Sequence, residues 1–130
     1  MSAERWMAKA GRFEEEARDN LRSGRYDLAC FSAQQASELR LKGLLITITG
    51  AKPYTHLLTE LAEALQAAGI DVPEEVKRCC ISLEEHYLQA RYPDARMNEY
   101  RRDEAEEALK CMEVIGRFVE EVLRRAGSKG

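Results

Sequence analysis

The stretch that decides the fold lies in the first third of the chain, where residues 29–44 read ACFSAQQASELRLKGL. Its small residues fall three, four or seven positions apart, which places them on one face of an α-helix: Ala29, Ala33, Ala36 and Gly43. Larger apolar residues border them, namely Phe31, Leu39, Leu44 and Ile46. A ridge of small side chains lets a second helix approach closely. The stretch therefore predicts a central helix from about Tyr26 to Thr47.

The far end of this helix is ambiguous, since Leu44 to Thr49 is rich in β-branched residues and also fits a strand. We predict helix, because no second strand is available to pair with it. Four further segments show helical periodicity. We expect them over residues 3–23, 56–68, 73 to about 91, and 101–126, with Gly24 and Gly69 ending the first and third.

The ends of these helices carry recognisable signals. Ser2 and Thr55 are expected to cap the first and third helices, and Pro73 to occupy the first position of the fourth. We expect residues 127–130 to form a frayed tail. The fold class is therefore all-α, an antiparallel up-and-down bundle of about five helices in a single domain, residues 1–130. The second and fifth helices, each over 20 residues, should form its spine.

Charge argues against a general polyanion binder, because 20 basic and 23 acidic residues leave a net charge of −3. Residues 91–102 are a local exception, because they contain four arginines, only two acidic residues, and tyrosines. No apolar run reaches the roughly 20 residues of a membrane span, and no secretory signal is visible. We therefore expect a cytoplasmic protein without membrane association.

The cysteines and acidic residues do not suggest a metal site or a cofactor. Cys30, Cys79, Cys80 and Cys111 form no C-x-x-C pair, and the carboxylates are scattered along helix faces. We interpret all four cysteines as reduced, structural thiols in a reducing compartment. No metal and no cofactor are expected.

Two constellations could carry chemistry. Glu38 precedes Lys42 by four residues on the central helix, the favourable order for an ion pair, although such a pair is most simply a helix surface. His86 and Arg91 suit RNA cleavage, in which one group moves a proton from the ribose 2′-OH and a guanidinium holds the phosphate. Alternatively, Arg91 pairs with Glu38 or Asp94 for structural reasons. His56 is most simply a helix-start side chain.

Four motifs occur in a telling order: residues 24–31 read GRYDLACF, residues 34–38 read QQASE with Lys42 following, residues 55–58 read THLL, and residues 90–95 read ARYPDA. Through them the sequence resembles a HEPN domain (higher eukaryotes and prokaryotes nucleotide-binding), of the small stand-alone prokaryotic type, over about residues 5–125. The resemblance implies a helical up-and-down bundle and commonly a homodimer. Many members are encoded beside a minimal nucleotidyltransferase, as a two-component module.

Catalytic members of this family are metal-independent ribonucleases with an arginine followed, after four to six residues, by histidine. Arg91 matches the arginine, but Arg96, Met97 and Asn98 stand where the histidine is needed. Asn98 forms hydrogen bonds but does not transfer a proton near neutral pH. Both histidines, His56 and His86, precede Arg91.

The resemblance and this departure together lead to a functional prediction. We expect a non-catalytic HEPN-type binding module that pairs with a minimal nucleotidyltransferase, binds nucleotide or RNA phosphate, or does both. Its expected ligand-binding residues are Arg91, Asp94, Arg96, Asn98, Glu38 and Lys42. The alternative is a ribonuclease toxin of a toxin–antitoxin module, with Arg91, His86 and Asn98 in the catalytic roles.

We also expect a two-fold homodimer. Apolar side chains beyond the inner stripes are candidates for its interface: Leu41, Leu45, Ile48, Val114 and Phe118. The alternative is that these side chains cover the shorter helices of the same chain.

Overall fold

A computed structural model describes residues 3–128 of the chain and is helical throughout its regular structure. Five helices have ten residues or more, and a single-turn helix lies between the fourth and the last. In chain order they are α1 (Ala3–Arg22), α2 (Tyr26–Thr49), α3 (Leu58–Ala67), α4 (Glu74–Glu84), α5 (His86–Gln89) and α6 (Arg102–Ser128). Within residues 3–128 there is no strand, so the all-α prediction is confirmed.

The central helix α2 is buried on nearly all sides. It packs against α1 along one face and against α6 along another, with α3 to α5 closing the remainder. The predicted ridge is confirmed, since Ala29, Ala33 and Ala36 are fully buried. At Gly43 an added Cβ would lie 2.7 Å from Met7 Cε and 3.1 Å from Trp6 Cβ, so the Met7 side chain would have to shift to admit it.

The β-branched end of α2 is helical, as predicted. The hydroxyls of Thr47 and Thr49 donate to the carbonyls of Gly43 and Leu45, four residues back, at 2.9 and 2.7 Å. These bonds satisfy the threonine hydroxyls inside a helix. The chain then turns at Gly50, whose φ of 75° is left-handed.

Two predicted helix starts shift in the structure. Thr55 does not cap α3, which begins at Leu58 with Leu57 at the N-cap position. Instead the Thr55 hydroxyl accepts from the Leu57 N–H at 3.0 Å and donates to the Glu60 carboxylate, so it stabilises the extended approach. Pro73 is the N-cap residue of α4 rather than its first helical residue. The predicted cap at Ser2 lies outside the described residues.

The fourth predicted helix is divided, and the last is longer than expected. Glu85 separates α4 from α5, and α5 ends at Gln89, before the proline. The predicted frayed tail is wrong for residues 127 and 128, which continue α6. A glycine weakens a helix but ends it only where it turns left-handed, and Gly127 does not. The rest of that tail lies outside the described residues.

The prediction of four reduced cysteines is wrong. Cys79 on α4 and Cys111 on α6 form a disulfide, with their Cα atoms 5.0 Å apart. Because Cys79 and Cys80 are adjacent on one helix, they point in different directions, and only Cys79 meets α6. Cys30 and Cys80 are buried thiols, and burial raises the pKa of each to about 12, which makes both unreactive.

The predicted dimer surface is partly internal. Leu41 and Leu45 are buried within the chain, so they cannot contribute to an interface. Ile48, Val114 and Phe118 are only half-buried and pack at the margin of the core. Among residues 3–128, no helix is long and apolar enough to cross a bilayer.

Candidate functional site

The site candidate is an open cleft of about 650 Å³ at one end of the bundle. The loop between α5 and α6 forms one wall, and the start of α2 forms the other. The lining residues are Gly24, Tyr26, Asp27, Gln89, Ala90, Arg91, Tyr92, Pro93, Arg96, Met97, Asn98, Glu99 and Tyr100. This loop carries the local excess of arginine seen in the sequence.

Arg91 lies at the edge of this cleft on aromatic rings. Its guanidinium carbon is 5.0 Å from the ring centroid of Tyr87 and 5.4 Å from that of Tyr92. Such cation–π contacts fix the side chain without neutralising its charge. Neither Glu38 nor Asp94 pairs with Arg91, and within residues 3–128 no carboxylate lies at ion-pair distance from it. The structural alternative for Arg91 is therefore wrong.

Arg96, by contrast, is tied to the bundle. It pairs with Glu104 on α6 at 2.8 Å, and its guanidinium carbon lies 4.0 Å from the centroid of the Tyr100 ring. Glu104 also accepts from the Arg101 N–H at 3.1 Å, so it caps α6 while holding the loop. The Nη1 atom of Arg96 is buried and has no hydrogen-bond partner.

His86 lies beneath the same loop and is only 8% exposed. Its Nδ1 shares a 2.7 Å hydrogen bond with the Tyr100 hydroxyl. Burial lowers the pKa of His86 to about 4, with Glu104 opposing this and Arg96 adding to it. Burial also raises the pKa of Tyr100 to about 12. At neutral pH both side chains are therefore uncharged, and His86 is a structural group under the loop.

The other predicted site residues divide into two sets. Asn98 lines the cleft with Arg91 and Arg96, while Asp94 is exposed on the loop but does not line the cleft. Glu38 and Lys42 lie on α2 away from the cleft, and each is 5% exposed. They are bonded to each other at 2.8 Å. The interpretation of this pair as an exposed helix surface is therefore wrong.

Glu38 is the centre of a buried polar network. Its Oε1 accepts from Gln34 at 3.0 Å, and its Oε2 lies 2.8 Å from Lys42 Nζ and 2.9 Å from His56 Nδ1. Gln35 in turn donates to Gln34 at 2.7 Å. The carboxylate thus has partners on both oxygens, as a buried charge requires.

His56 brings this network to the surface. Its side chain is 52% exposed, and its ring stacks on Tyr87 with 4.4 Å between centroids. Tyr87 is the same ring that Arg91 contacts. The structure therefore joins two of the sequence motifs, the histidine of residues 55–58 and the arginine of residues 90–95, across one tyrosine.

The comparison with protein-family models gives a match to the HEPN domain model, over residues 3–122. This chain belongs to the HEPN domain family. The predicted family is thereby confirmed over nearly the whole chain.

Solved structures agree with this assignment. The HEPN chain is similar to TT1696 from Thermus thermophilus, with 38% identity, a TM-score of 0.85 and coverage of 92% of this chain and 96% of that one. It is similar to ST0689, an archaeal HEPN homologue, at 29% identity and TM-score 0.76, covering 93% and 97%. It also resembles an HEPN domain protein from Thermotoga maritima at 26% identity and TM-score 0.75, covering 93% and 98%. A search of curated proteins found no match.

Sequence reasoning missed the role of His56 in the HEPN chain. Eighteen residues and a loop separate it from Glu38, so neither helical spacing nor the cap position of Thr55 predicts their contact. It also missed Tyr87 as the ring that His56 and Arg91 share. Among residues 3–128, no cluster of three or more His, Cys, Asp or Glu side chains has metal-binding geometry.

Proposed function

We propose that this HEPN chain is a binding module whose cleft holds a phosphate group of a nucleotide or of RNA, with Arg91 as the main contact. The observation that carries the proposal is the state of the Arg91 guanidinium. It contacts two tyrosine rings at the cleft edge and has no carboxylate partner within residues 3–128. A planar guanidinium with unused donors matches a phosphate, which it can bind through two parallel hydrogen bonds.

Two further groups support a phosphate in this position. Arg96 lines the same cleft, and its Nη1 has no hydrogen-bond partner. Asn98 adds an amide at the same wall of the cleft. Asp27 and Glu99 also line the cleft, which supports a discrete phosphate site over a long basic track. None of the other residues expected to bind ligand lines the cleft. Asp94 would act from the loop, and Glu38 and Lys42 would act through His56.

The ribonuclease alternative gains no support from the residues first expected to carry it. His86 is buried, uncharged at neutral pH and bonded to Tyr100. Asn98 cannot take up or release a proton in the working pH range. We therefore do not expect Arg91, His86 and Asn98 to form a catalytic set.

Partners follow from family membership and from surface chemistry. We propose that the chain forms a homodimer and pairs with a minimal nucleotidyltransferase in the cytoplasm, within a module of the toxin–antitoxin kind. The half-buried side chains of Ile48, Val114 and Phe118 support an apolar contact for either partner. Light scattering at micromolar concentration tests the dimer, and a monomeric mass contradicts it.

The phosphate site is tested with Arg91→Ala and a matched control, Arg124→Ala. Arg124 is also exposed and carries the same charge, but it lies near the end of α6, paired with Glu121. Fluorescence anisotropy with labelled single-stranded RNA, and calorimetry with ATP, measure binding. We expect Arg91→Ala to weaken binding about tenfold or more and to lower the salt dependence by about one phosphate contact. Equal binding by both variants contradicts the proposal.

A further inference from the structure

The disulfide between Cys79 and Cys111 closes a covalent ring around one wall of the cleft. The two cysteines are 32 positions apart, and the chain between them contains α5, the loop of residues 90–101 and the first turns of α6. We call residues 90–101 the arginine loop. Both arginines of the proposed phosphate site, Arg91 and Arg96, lie in it. The other wall of the cleft, at the start of α2, lies outside the ring.

The arginine loop depends on few bonds of its own. It has no regular secondary structure. Arg96 pairs with Glu104 on α6, but these side chains retain 22% and 30% exposure, and partly exposed ion pairs contribute little to stability. Tyr100 adds one hydrogen bond to His86. A segment held in this way opens easily, and a cross-link between its two flanking helices restricts the opened state.

The disulfide can be reached from solvent. Both of its cysteines line an open groove of about 530 Å³ between α4 and α6. Cys79 is 7% exposed and Cys111 is 4% exposed, whereas Cys30 and Cys80 are not exposed at all. Thiol–disulfide exchange begins when a thiolate reaches one sulfur of the bond. Among the four cysteines, only this pair offers such access.

The charges of the groove permit the approach of a thiolate. Three cations and three carboxylates line it: Arg78, Lys110, Arg117, Glu75, Glu107 and Glu113. Because the charges balance, the groove does not repel an incoming anion. Positive side chains beside the sulfurs also favour the thiolate that leaves when the bond breaks.

We propose that the Cys79–Cys111 bond is a redox-controlled cross-link of the arginine loop, whose reduction opens the loop and weakens phosphate binding in the cleft. A thiolate from solution attacks one sulfur and forms a mixed disulfide, and the other cysteine leaves as a thiolate and takes up a proton. A second thiol attacks the mixed disulfide and releases the first cysteine. The chain gains two electrons and two protons, and two thiol molecules become one disulfide.

The effect on binding rests on the proposed phosphate site, and the inference goes beyond that site because it adds a control. Disulfides in the cytoplasm, the location proposed for this chain, are usually transient and redox-sensing, because thiols there reduce accessible bonds. The oxidised chain is then the form that binds phosphate more tightly. The reduced chain keeps its helical core, since α4 and α6 remain packed through their apolar faces.

The first measurement compares the full chain after oxidation in air with the same chain after dithiothreitol under native conditions. Thiol titration in denaturant should find two free thiols before treatment and four after it. Hydrogen exchange followed by mass spectrometry reports the loop. Residues 85–101 should exchange at least about tenfold faster after reduction. Helix α1, which lies outside the ring, should exchange at the same rate in both forms.

The second measurement is binding of labelled single-stranded RNA, followed by fluorescence anisotropy. The reduced chain should bind about fivefold more weakly than the oxidised chain. Cys79→Ser/Cys111→Ser should bind like the reduced chain, with or without dithiothreitol. The matched control is Cys30→Ala/Cys80→Ala, which keeps the disulfide and should respond to dithiothreitol as wild type does. The reduced wild-type chain supplies the same comparison if the serine variant does not fold.

The outcomes separate this inference from the proposed phosphate site. Four free thiols after oxidation in air, or a bond that dithiothreitol reduces only in denaturant, overturns the redox control and leaves the phosphate site standing. Reduction that leaves RNA binding unchanged does the same, whether or not exchange becomes faster. Faster exchange after reduction in a chain that binds RNA in neither form overturns the phosphate site, and the control of the loop stands.

Discussion

Each of the two histidines lies in a cluster with one carboxylate and one cation, but the two clusters differ in which members are buried. Around His56, Glu38 and Lys42 are buried and the imidazole reaches solvent. Around His86, Glu104 and Arg96 lie near the surface and the imidazole is buried behind Tyr100. Each cluster combines one carboxylate, one cation and one histidine.

The difference shows that burial, rather than residue type, decides what each histidine can do. In the His86 cluster, burial lowers the pKa of the imidazole to about 4, so it remains neutral and structural. In the His56 cluster, the Glu38–Lys42 pair is buried, and the imidazole remains accessible to solvent. Four predictions test this contrast, in order of expected size.

The largest effect is expected from removing the buried cation of the His56 cluster. Lys42→Met leaves Glu38 buried without its cation, which should lower the free energy of unfolding by about 3–5 kcal/mol. Urea denaturation measures this. The double variant Glu38→Leu/Lys42→Met should recover most of the loss, and Lys77→Met, in the exposed pair with Glu74, should cost less than about 1 kcal/mol. A cost for Lys42→Met as small as that for Lys77→Met would contradict the contrast.

The second effect is a pH dependence specific to the His86 cluster. Its folded pKa of about 4 lies below the ordinary 6.5, so the unfolded chain takes up the proton first as the pH falls. The stability that His86 contributes is complete above pH 6.5 and is lost between 6.5 and 4, by about 3 kcal/mol. The stability difference between wild type and His86→Gln, measured from about pH 7 to 4, isolates this contribution from the carboxylates. Parallel curves for the two proteins would show that His86 is not buried in solution.

A smaller effect is expected from the hydrogen bond that holds His86. Tyr100→Phe removes the hydroxyl at 2.7 Å and leaves a buried imidazole nitrogen unsatisfied, at a cost of about 1–2 kcal/mol. Thermal or urea unfolding measures the change. Tyr54→Phe is the control, since Tyr54 is 87% exposed and should be neutral. If the two substitutions have equal effects, the Tyr100 hydroxyl does not stabilise the cluster.

The smallest effect on stability is expected at the exposed histidine. His56→Asn should change the free energy of unfolding by less than about 0.5 kcal/mol, because the site is on the surface and the amide can still donate to Glu38. His86→Asn, at the buried position, should cost several times more. A cost for His56→Asn that exceeds that for His86→Asn would reverse the assigned roles.

Sequence patterns were sufficient for the helices and the loop that carries Arg91. Small-residue spacing predicted α2, and Gly24 and Gly69 follow the first and third helices in left-handed geometry, as expected. Arg91, Arg96 and Asn98 were predicted as site residues, and all three line one cleft because the loop brings them there. These features depend on residue spacing within one segment, and such spacing can be read directly from a sequence.

The errors at helix ends are local, whereas the larger errors arise where distant segments meet. The partner of Cys79 is 32 residues away, the partner of His56 is 18 residues back, and Leu41 and Leu45 are covered by other helices of the chain. A helical face shows which side chains lie together, but not which helix covers them.

The sequence by itself determined the helical class, the helix order, the family and the absence of a histidine after Arg91. Local propensity and periodicity act over a few residues, so a linear pattern contains them. Only the tertiary structure decided which histidine is buried, which arginine remains unpaired and which thiols join. Those properties depend on solvent exclusion and on contacts between helices, which exist only after the helices have packed.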